Sequence, residues 1–326
     1  MRRYGLVADA GGNECALRAC LFRLSADAHQ PSQIQGKLVR LDRASGAHLS
    51  DGTEIRHRAF RCRYIRCGPV SSNAIHMTNL GWKFSGEELA AALGTDRVLL
   101  INDYEAIAHV IPVLRANDLR DIGLQPTRNP QPGRETIAIV GPGTGLGVGG
   151  YVRSGKELLP LVTEGGHADF APADDIEVEI LNNLRARFGP RFQRADSVWP
   201  RSGKSSRRSL RNRETSPGES NSANHHGWCA GGPSSFCALV LSRFCAILGA
   251  VAGNIALTMG AKQGVFLAGG ILPVVADFLA ESEFRARFEA KGRFASYMKN
   301  IPTRLIVNDD AGLLGAAVVL RNMMDR

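Results

Sequence analysis

The chain has 326 residues, 44% of them hydrophobic and 22% charged, enough to bury one large core or two modest ones, so disorder is excluded for most of its length. Its net charge of +9 would by itself point to a polyanion, but two irregular stretches, 29–67 and 189–235, carry +10 between them and leave −1 for the remainder. With no aromatic interleaving and no regular helical stripe in either stretch, a nucleic-acid partner is not expected.

The N-terminal Met1-Arg-Arg-Tyr4 leads into a short strand-like run that stops at Asp9 and two glycines, unlike a signal-peptide core. No consecutive apolar run reaches about eighteen residues, so no membrane partner is expected and the sequence reads as a soluble, cytoplasmic protein. Seven cysteines, with no CxxC pair and no zinc spacing, read as reduced thiols.

Residues 4–8 read as a strand running into Asp9, Gly11 and Gly12, and 97–101 as a second, buried strand ending at Asn102 and Asp103. Both deliver carboxylates at strand ends. Helical periodicity follows over 104–114, and the Pro/Asn/Gly-rich passage 125–133 reads as a surface connection with the domain crossing just before it. Residues 136–140 form a strand that turns through Gly141-Pro-Gly-Thr-Gly-Leu-Gly147 into a returning strand at 148–152. A long apolar helix is expected over 236–259, with Cys237 and Cys245 as small core side chains, then a buried strand at 264–267 opening into Ala268-Gly-Gly-Ile271. Residues 305–307 lead to Asn308, Asp309 and Asp310, then Ala311-Gly-Leu-Leu-Gly315 and a last helix. Strands alternating with helices, with glycine-rich turns at strand ends, are an α/β enzyme pattern, and the units around Asp9 and Gly141 are compatible with halves of a duplicated fold.

Four places can carry chemistry. The Gly141 to Gly147 turn offers backbone N–H groups unobstructed by Cβ atoms, together with the Thr144 hydroxyl, which suits a phosphate clamp; a purely structural turn is the alternative. It is neither a Walker A loop nor a dinucleotide fingerprint. Asp9 beside Gly11 and Gly12 suits a Mg²⁺ ligand, directly or through water, or simply a turn-forming Asp. Asp103, following a strongly apolar strand, is placed to accept a proton from a hydroxyl, or to cap the next helix. Glu164 and His167, separated by two glycines, can converge on one polyol, while a structural histidine is the bland reading and no second ligand at metal spacing accompanies it.

Taken together, Asp9-Ala-Gly-Gly12, Leu100-Ile-Asn-Asp103, Gly141-Pro-Gly-Thr-Gly-Leu-Gly147, Glu164-Gly-Gly-His-Ala-Asp-Phe-Ala-Pro172, Ala268-Gly-Gly-Ile271 and Gly312-Leu-Leu-Gly315 resemble the bacterial ATP-dependent glucokinase family. The resemblance covers residues 1–12, 68–189 and 236–326, including Met77-Thr-Asn79 with Trp82 and Phe84. It does not extend to the zinc-containing sugar kinase and repressor family, whose cysteine-rich metal motif is not found here.

The resemblance implies a two-domain α/β fold, actin/hexokinase-like (ribonuclease H-like), with a cleft between a small domain of residues 1–115 plus 308–326 and a large domain of residues 116–307. It implies glucose, ATP and Mg²⁺ as ligands and a homodimer. By that resemblance Asp103 takes the proton from the sugar 6-hydroxyl as it attacks the γ-phosphate, and Asn102, Glu164 and His167 bind glucose hydroxyls. Ala8, Asp9, Ala10, Gly11, Gly12 and Asn13, with Gly141, Gly143, Thr144 and Gly145, would hold phosphates; Gly269 and Gly270 would lie near the adenosine, and Asp9 near the Mg²⁺. Two other readings stand beside it, a catalytically dead sugar- or nucleotide-binding protein on the same fold and a chaperone-type ATPase. Against the second count the Glu164–His167 pair and the lack of a separate peptide-binding domain.

Two stretches depart from the family pattern. After Gly12 the family continues with Thr-Asn and an Arg-containing strand, where this chain has Asn13-Glu-Cys-Ala-Leu-Arg-Ala19. Beyond the helix expected at 176–188, the family's Ser-x-Glu-Arg segment, whose Glu is a further sugar ligand, is replaced by residues 191–205. Codons compatible with residues 13–19, read one nucleotide later, can spell Thr-Asn-Ala-Arg-Phe-Ala-Leu. The same offset over residues 191–205 can spell Val-Ser-Ser-Glu-Arg-Ile-Leu-Ser-Gly-Pro-Gly-Leu-Val-Asn-Leu, with the missing Glu falling at Arg194, and even the single-codon Trp199 fits. Frame-displaced stretches in a decaying or misread gene account for both; residues 29–67 share the foreign composition without an equally clean offset reading. Glu14 would then set a carboxylate near ATP's negative charge, and the lost sugar ligand removes a charged hydrogen bond worth about 1.5–3 kcal/mol. Resequencing is expected to find compensating insertions and deletions beside each stretch. A sample whose mass confirms this sequence is expected to phosphorylate glucose very slowly or not at all, and an ordinary kinase rate would contradict the expectation.

Overall fold

The computed structural model describes residues 3–11, 16–24, 36–42, 46–49, 60–66, 70–71, 73–77, 82–93, 98–123, 133–143, 145–188 and 235–324. Packing divides the chain into two units, Met1–Leu119 with Gly149–Thr163 and Val307–Arg326, and Arg120–Val148 with Glu164–Ile306. The sequence reading kept residues 149–163 with the larger domain. They group with the first unit because Gly149 lies against Tyr104: a Cβ on Gly149 would stand 3.0 Å from that of Tyr104.

The first unit is built on a sheet of strands β1 (Arg3–Gly11), β2 (Ala16–Leu24), β3 (Gly36–Asp42), β4 (Gly46–Leu49), β5 (Phe60–Arg66) and β9 (Val98–Asn102), in the order β4-β3-β2-β1-β5-β9. Strands β4 to β1 pair antiparallel, whereas β1, β5 and β9 run parallel. Between β5 and β9 the chain forms a small antiparallel sheet, β6 (Val70–Ser71), β7 (Ala74–Met77) and β8 (Trp82–Ser85), followed by helix α1 (Gly86–Leu93). Helix α2 (Asp103–Val110) follows β9 directly, and α8 (Ala311–Met324) ends the chain's described part. Ile101, Ala106, Leu313, Ala316, Ala317, Val319 and Leu320 form one buried cluster joining β9, α2 and α8.

The second sheet has the order β10-β15-β14-β11-β12-β13, from β10 (Leu119–Asp121), β11 (Arg134–Pro142), β12 (Leu146–Ser154), β13 (Glu157–Thr163), β14 (Val265–Leu267) and β15 (Thr303–Ile306). The chain passes from the second unit to the first along β12. Strands β11, β14 and β15 are parallel, and residues 137–142 of β11 and all of β14 are buried. Burial on both faces is why these strands, like β9, read as continuous apolar runs rather than alternating ones.

Helix α3 (Asp175–Phe188) and the 25-residue α4 (Ser235–Met259) belong to this unit, with the short helices α5 (Ala276–Glu281), α6 (Phe284–Glu289) and α7 (Ala295–Lys299). The segment Ala238–Met259 of α4 is long and apolar enough to cross a membrane, and 44% of its most apolar window is buried inside the protein. It packs on α6, whose Phe284 and Phe288 are fully buried and stack with ring centroids 6.3 Å apart. A core helix of this kind passes the same length test as a membrane span. The free thiol of Cys245 lies buried in it, as a small core side chain, and burial pushes that thiol up to about 11.

The helix expected over 104–114 is shorter than its periodicity suggests. It ends at Val110 and tightens into a 3-10 turn at Ile111–Val113 because Pro112 has no N–H to continue the α-helical ladder. Four strands between residues 16 and 66 extend the sequence reading, which assigned none there. Phe284→Ala is expected to lower stability by about 3–5 kcal/mol through an unfilled cavity against α4, seen as a lower urea midpoint at unchanged slope. An unchanged midpoint would show that this contact does not hold the unit together.

Candidate active site

In the first unit the site is set by the carboxyl edge of the three parallel strands. Ala10 of β1 is level with Arg66 of β5, and Arg66 with Asn102 of β9. Two strand spacings, about 10 Å, therefore separate the Asp9-Ala10-Gly11 end of β1 from the Asn102-Asp103 corner. Ligands bind at such carboxyl edges because loops leave there with unpaired backbone groups and helices begin there. Gly12 and Asn13, which the sequence assigns to the same phosphate loop, lie outside the described residues, as does Thr144 of the other turn.

Asn102 is the residue that turns strand into helix. Its backbone is extended, φ −69° and ψ 148°, and its Oδ1 accepts the N–H groups of Tyr104 at 2.8 Å and Glu105 at 3.4 Å. Asn102 is thus the N-cap, and Asp103, for which capping was the alternative role, occupies the first helical position. The Asp103 carboxylate is half-buried and accepts the Tyr104 N–H at 3.0 Å. It stands at the positive end of the helix dipole.

Helix α2 is seated from two sides within its unit. A Cβ on Gly315 would lie 2.0 Å from the carbonyl oxygen of Ala106, so α8 and α2 meet backbone to backbone and no larger residue fits without shifting the helix. Tyr104 packs on the other side against Gly149. The Gly312-Leu-Leu-Gly315 motif, singled out by the sequence without a structural role, has this one. Glu105, in the first turn of α2, has its carboxyl pushed up by burial and partly pulled back by an N–H from Asn102. Burial likewise lowers His109, one turn further along.

In the second unit β11 and β14 are parallel with Val140 level with Leu267, so their ends, Gly141-Pro142 and Ala268-Gly269, lie side by side. Gly269 has φ +96°, and a Cβ there would approach the Pro142 carbonyl oxygen to 2.6 Å. Both the conformation and the contact require glycine. Gly269 and Gly270 are exposed, and the Gly143 N–H closes the β11–β12 turn by donating to the Gly145 carbonyl at 2.7 Å. Beyond Gly143 the space is open for at least 4 Å around a hypothetical Cβ. Two glycine turns from different strands thus present backbone along one edge, the arrangement a nucleotide requires.

Glu164 precedes a 3-10 turn, Gly165–His167, that brings its Oε2 to 3.4 Å from His167 Nδ1. Both side chains are about half exposed, at 57% and 48%. The turn fits because Gly166 presses on β12, a Cβ there falling 1.7 Å from the Leu146 carbonyl oxygen. An acceptor and a donor side by side and open to solvent can engage adjacent hydroxyls, as the spacing suggested.

No group of three His, Cys, Asp or Glu side chains able to hold a metal occurs among the described residues. Mg²⁺ bound with a nucleotide needs no such cage, since phosphate oxygens and waters supply most of its ligands and one carboxylate suffices. Asp9, one residue before the end level of the parallel strands, fits that requirement in position.

The model of the glucokinase family matches residues 6–323. The chain is 42% identical to a glucokinase of Caulobacter sp. (strain K31), covering 97% of this chain and 94% of that one. It is 37% identical to a glucokinase of Colwellia psychrerythraea, covering 98% and 96%. Among solved structures it resembles glucokinase from an Antarctic psychrotroph with a TM-score of 0.69 and 28% identity, over 98% of this chain and 99% of that one. With its glycine turns, its acidic strand end and a match spanning nearly its whole length, the chain belongs to the glucokinase family.

Proposed function

We propose that this chain transfers the γ-phosphoryl group of ATP to the 6-hydroxyl of glucose, at a rate lowered by its two displaced stretches. The observation that carries the reading is the half-buried Asp103 carboxylate at the first position of α2, on the sheet edge where Asp9 and Gly11 also end. Its relatives are glucokinases, and a glucokinase of Balamuthia mandrillaris with the same fold, at a TM-score of 0.70 and 16% identity, was solved in complex with glucose.

In this reading Asp103 accepts the proton as the hydroxyl oxygen attacks, which keeps the nucleophile from becoming a poorly reactive oxonium. Asn102 binds a sugar hydroxyl, while Glu164 accepts from another and His167 completes the pair. Ala8 to Gly11 with Gly12 and Asn13, and Gly141, Gly143 and Gly145 with Thr144, lie along the phosphates, with the Gly143 N–H already given to the Gly145 carbonyl. Gly269 and Gly270 leave room for the adenosine. Mg²⁺, held by phosphate oxygens with Asp9, would neutralise phosphate charge. Positioning and electrostatic stabilisation supply most of the rate in such transfers. ATP as donor puts the reaction in the cytoplasm. A homodimer is the proposed assembly, supported by Leu159 and Val162, 54% and 50% exposed on the terminal strand β13, and light scattering would test it.

A coupled assay with glucose, mannose and fructose tests the activity, on the chain as written and on one with residues 13–19 and 191–205 restored to the displaced frame. Glucose is expected to be turned over fastest, and the restored chain faster than the original. Asp103→Asn in the restored chain is expected to lower kcat by about 10²–10⁴-fold with glucose still bound. Equal turnover in that variant would remove Asp103 from the role of base. Glucose binding without any turnover even after restoration would favour a non-catalytic sugar-binding protein on this fold.

A further inference from the structure

We propose that Asn73 and Glu105 are positioning residues for the Asp103 base, because between them they satisfy the outer edge of the strand that ends in it. The inference rests on the reading of Asp103 as base. Strand β9 is the terminal strand of its sheet, with β5 on one side only. Every second N–H and C=O on its other side therefore needs a partner that no strand provides.

Asn73 supplies the first two bonds. Its Nδ2 donates to the Val98 carbonyl at 3.0 Å, and its Oδ1 accepts the Leu100 N–H at 2.8 Å. One carboxamide thus copies the pair of bonds that a residue of a neighbouring strand would make. Asn73 is itself fixed, with φ +57° in the turn before β7 and its carbonyl accepting the Gly86 N–H at 2.8 Å. Asparagine tolerates that left-handed conformation better than most residues.

The alternation of a β-strand makes Asn102 N–H the next donor on the same edge. Glu105 lies against it: Glu105 N–H donates to Asn102 Oδ1 at 3.4 Å, and the Asn102 backbone is the group that opposes the rise of the Glu105 carboxyl on burial. Asn102 and Glu105 thus flank the position of the base, which lies between them in the chain, and are tied to each other by that bond. Neither side chain is assigned a contact with substrate. Each acts through the backbone of residues 98–105, and a displacement of about 1 Å at a reacting group can cost about 100-fold in rate.

The test compares Glu105→Ala, Glu105→Gln and Asn73→Gly with the unaltered protein, and uses Asp103→Asn as reference. Amide exchange is followed by mass spectrometry in a peptide covering 98–106 and in a control peptide covering 265–271, on the chain as written. Turnover and both KM values are measured in the frame-restored chain. Glu105→Ala and Asn73→Gly are expected to speed exchange in 98–106 by about ten-fold or more, leaving 265–271 unchanged. They should lower kcat by about 10–100-fold without raising KM for ATP. Glu105→Gln, which keeps an acceptor, should recover kcat to within about three-fold. Unchanged exchange and kcat in Glu105→Ala and Asn73→Gly would overturn the proposal, and so would a Glu105→Gln variant as slow as Glu105→Ala. If Asp103→Asn kept full turnover, the base assignment would fall instead, whatever the exchange data showed.

Discussion

A strand that ends in a helix must hand its last amides from one hydrogen-bonding partner to another, and in this chain that exchange happens at Asn102, immediately before the carboxylate of Asp103. Asn102 Oδ1 takes up the amides of Tyr104 and Glu105, so the first turn of α2 is fixed by the residue that precedes it. Asp103 then projects from a position set by backbone bonds rather than by its own rotamer alone. Buried contacts of Ala106 with the C-terminal helix keep α2 from sliding, and the cluster around Leu313 and Leu320 holds both to β9. The placement of Asp103 thus depends on packing far away in the chain.

The two large sheets repeat one arrangement. In the first, β3-β2-β1-β5-β9 is a meander followed by two parallel strands; in the second, β13-β12-β11-β14-β15 has the same order. In each, the first strand of the motif reaches glycine near its carboxyl end, at Gly11 and at Gly141. Parallel strands expose loop backbone at their carboxyl ends, and glycine lets an anion approach that backbone.

Much of this was legible in the sequence where physics leaves little choice. The apolar runs of β9, β11 and β14 reflect cover on both faces, and Gly269 needs glycine for both conformation and contact. The convergence of Glu164 and His167 followed from three-residue spacing across two glycines. The pattern Asn102-x-x-Glu105 carried a capping-box signal that could have identified Glu105 and given the N-cap to Asn102 rather than Asp103. Other features left no local trace. Asn73 bonds to residues 25 and 27 positions away, and Gly315 was recognisable as a motif but not as the neighbour of Ala106, since nothing in the intervening sequence records that contact. The strands between residues 16 and 66 mix charged and apolar side chains irregularly, which hid their period.

The central claim is that a hydroxyl of the sugar meets the carboxylate at the start of α2. A crystal structure of the frame-restored chain with glucose and a non-hydrolysable ATP analogue tests it most directly. The account predicts the sugar 6-hydroxyl within about 2.6–3.2 Å of an Asp103 carboxylate oxygen, with the γ-phosphate beyond it. A sugar bound with that hydroxyl turned away from Asp103, or facing another acid, would contradict it.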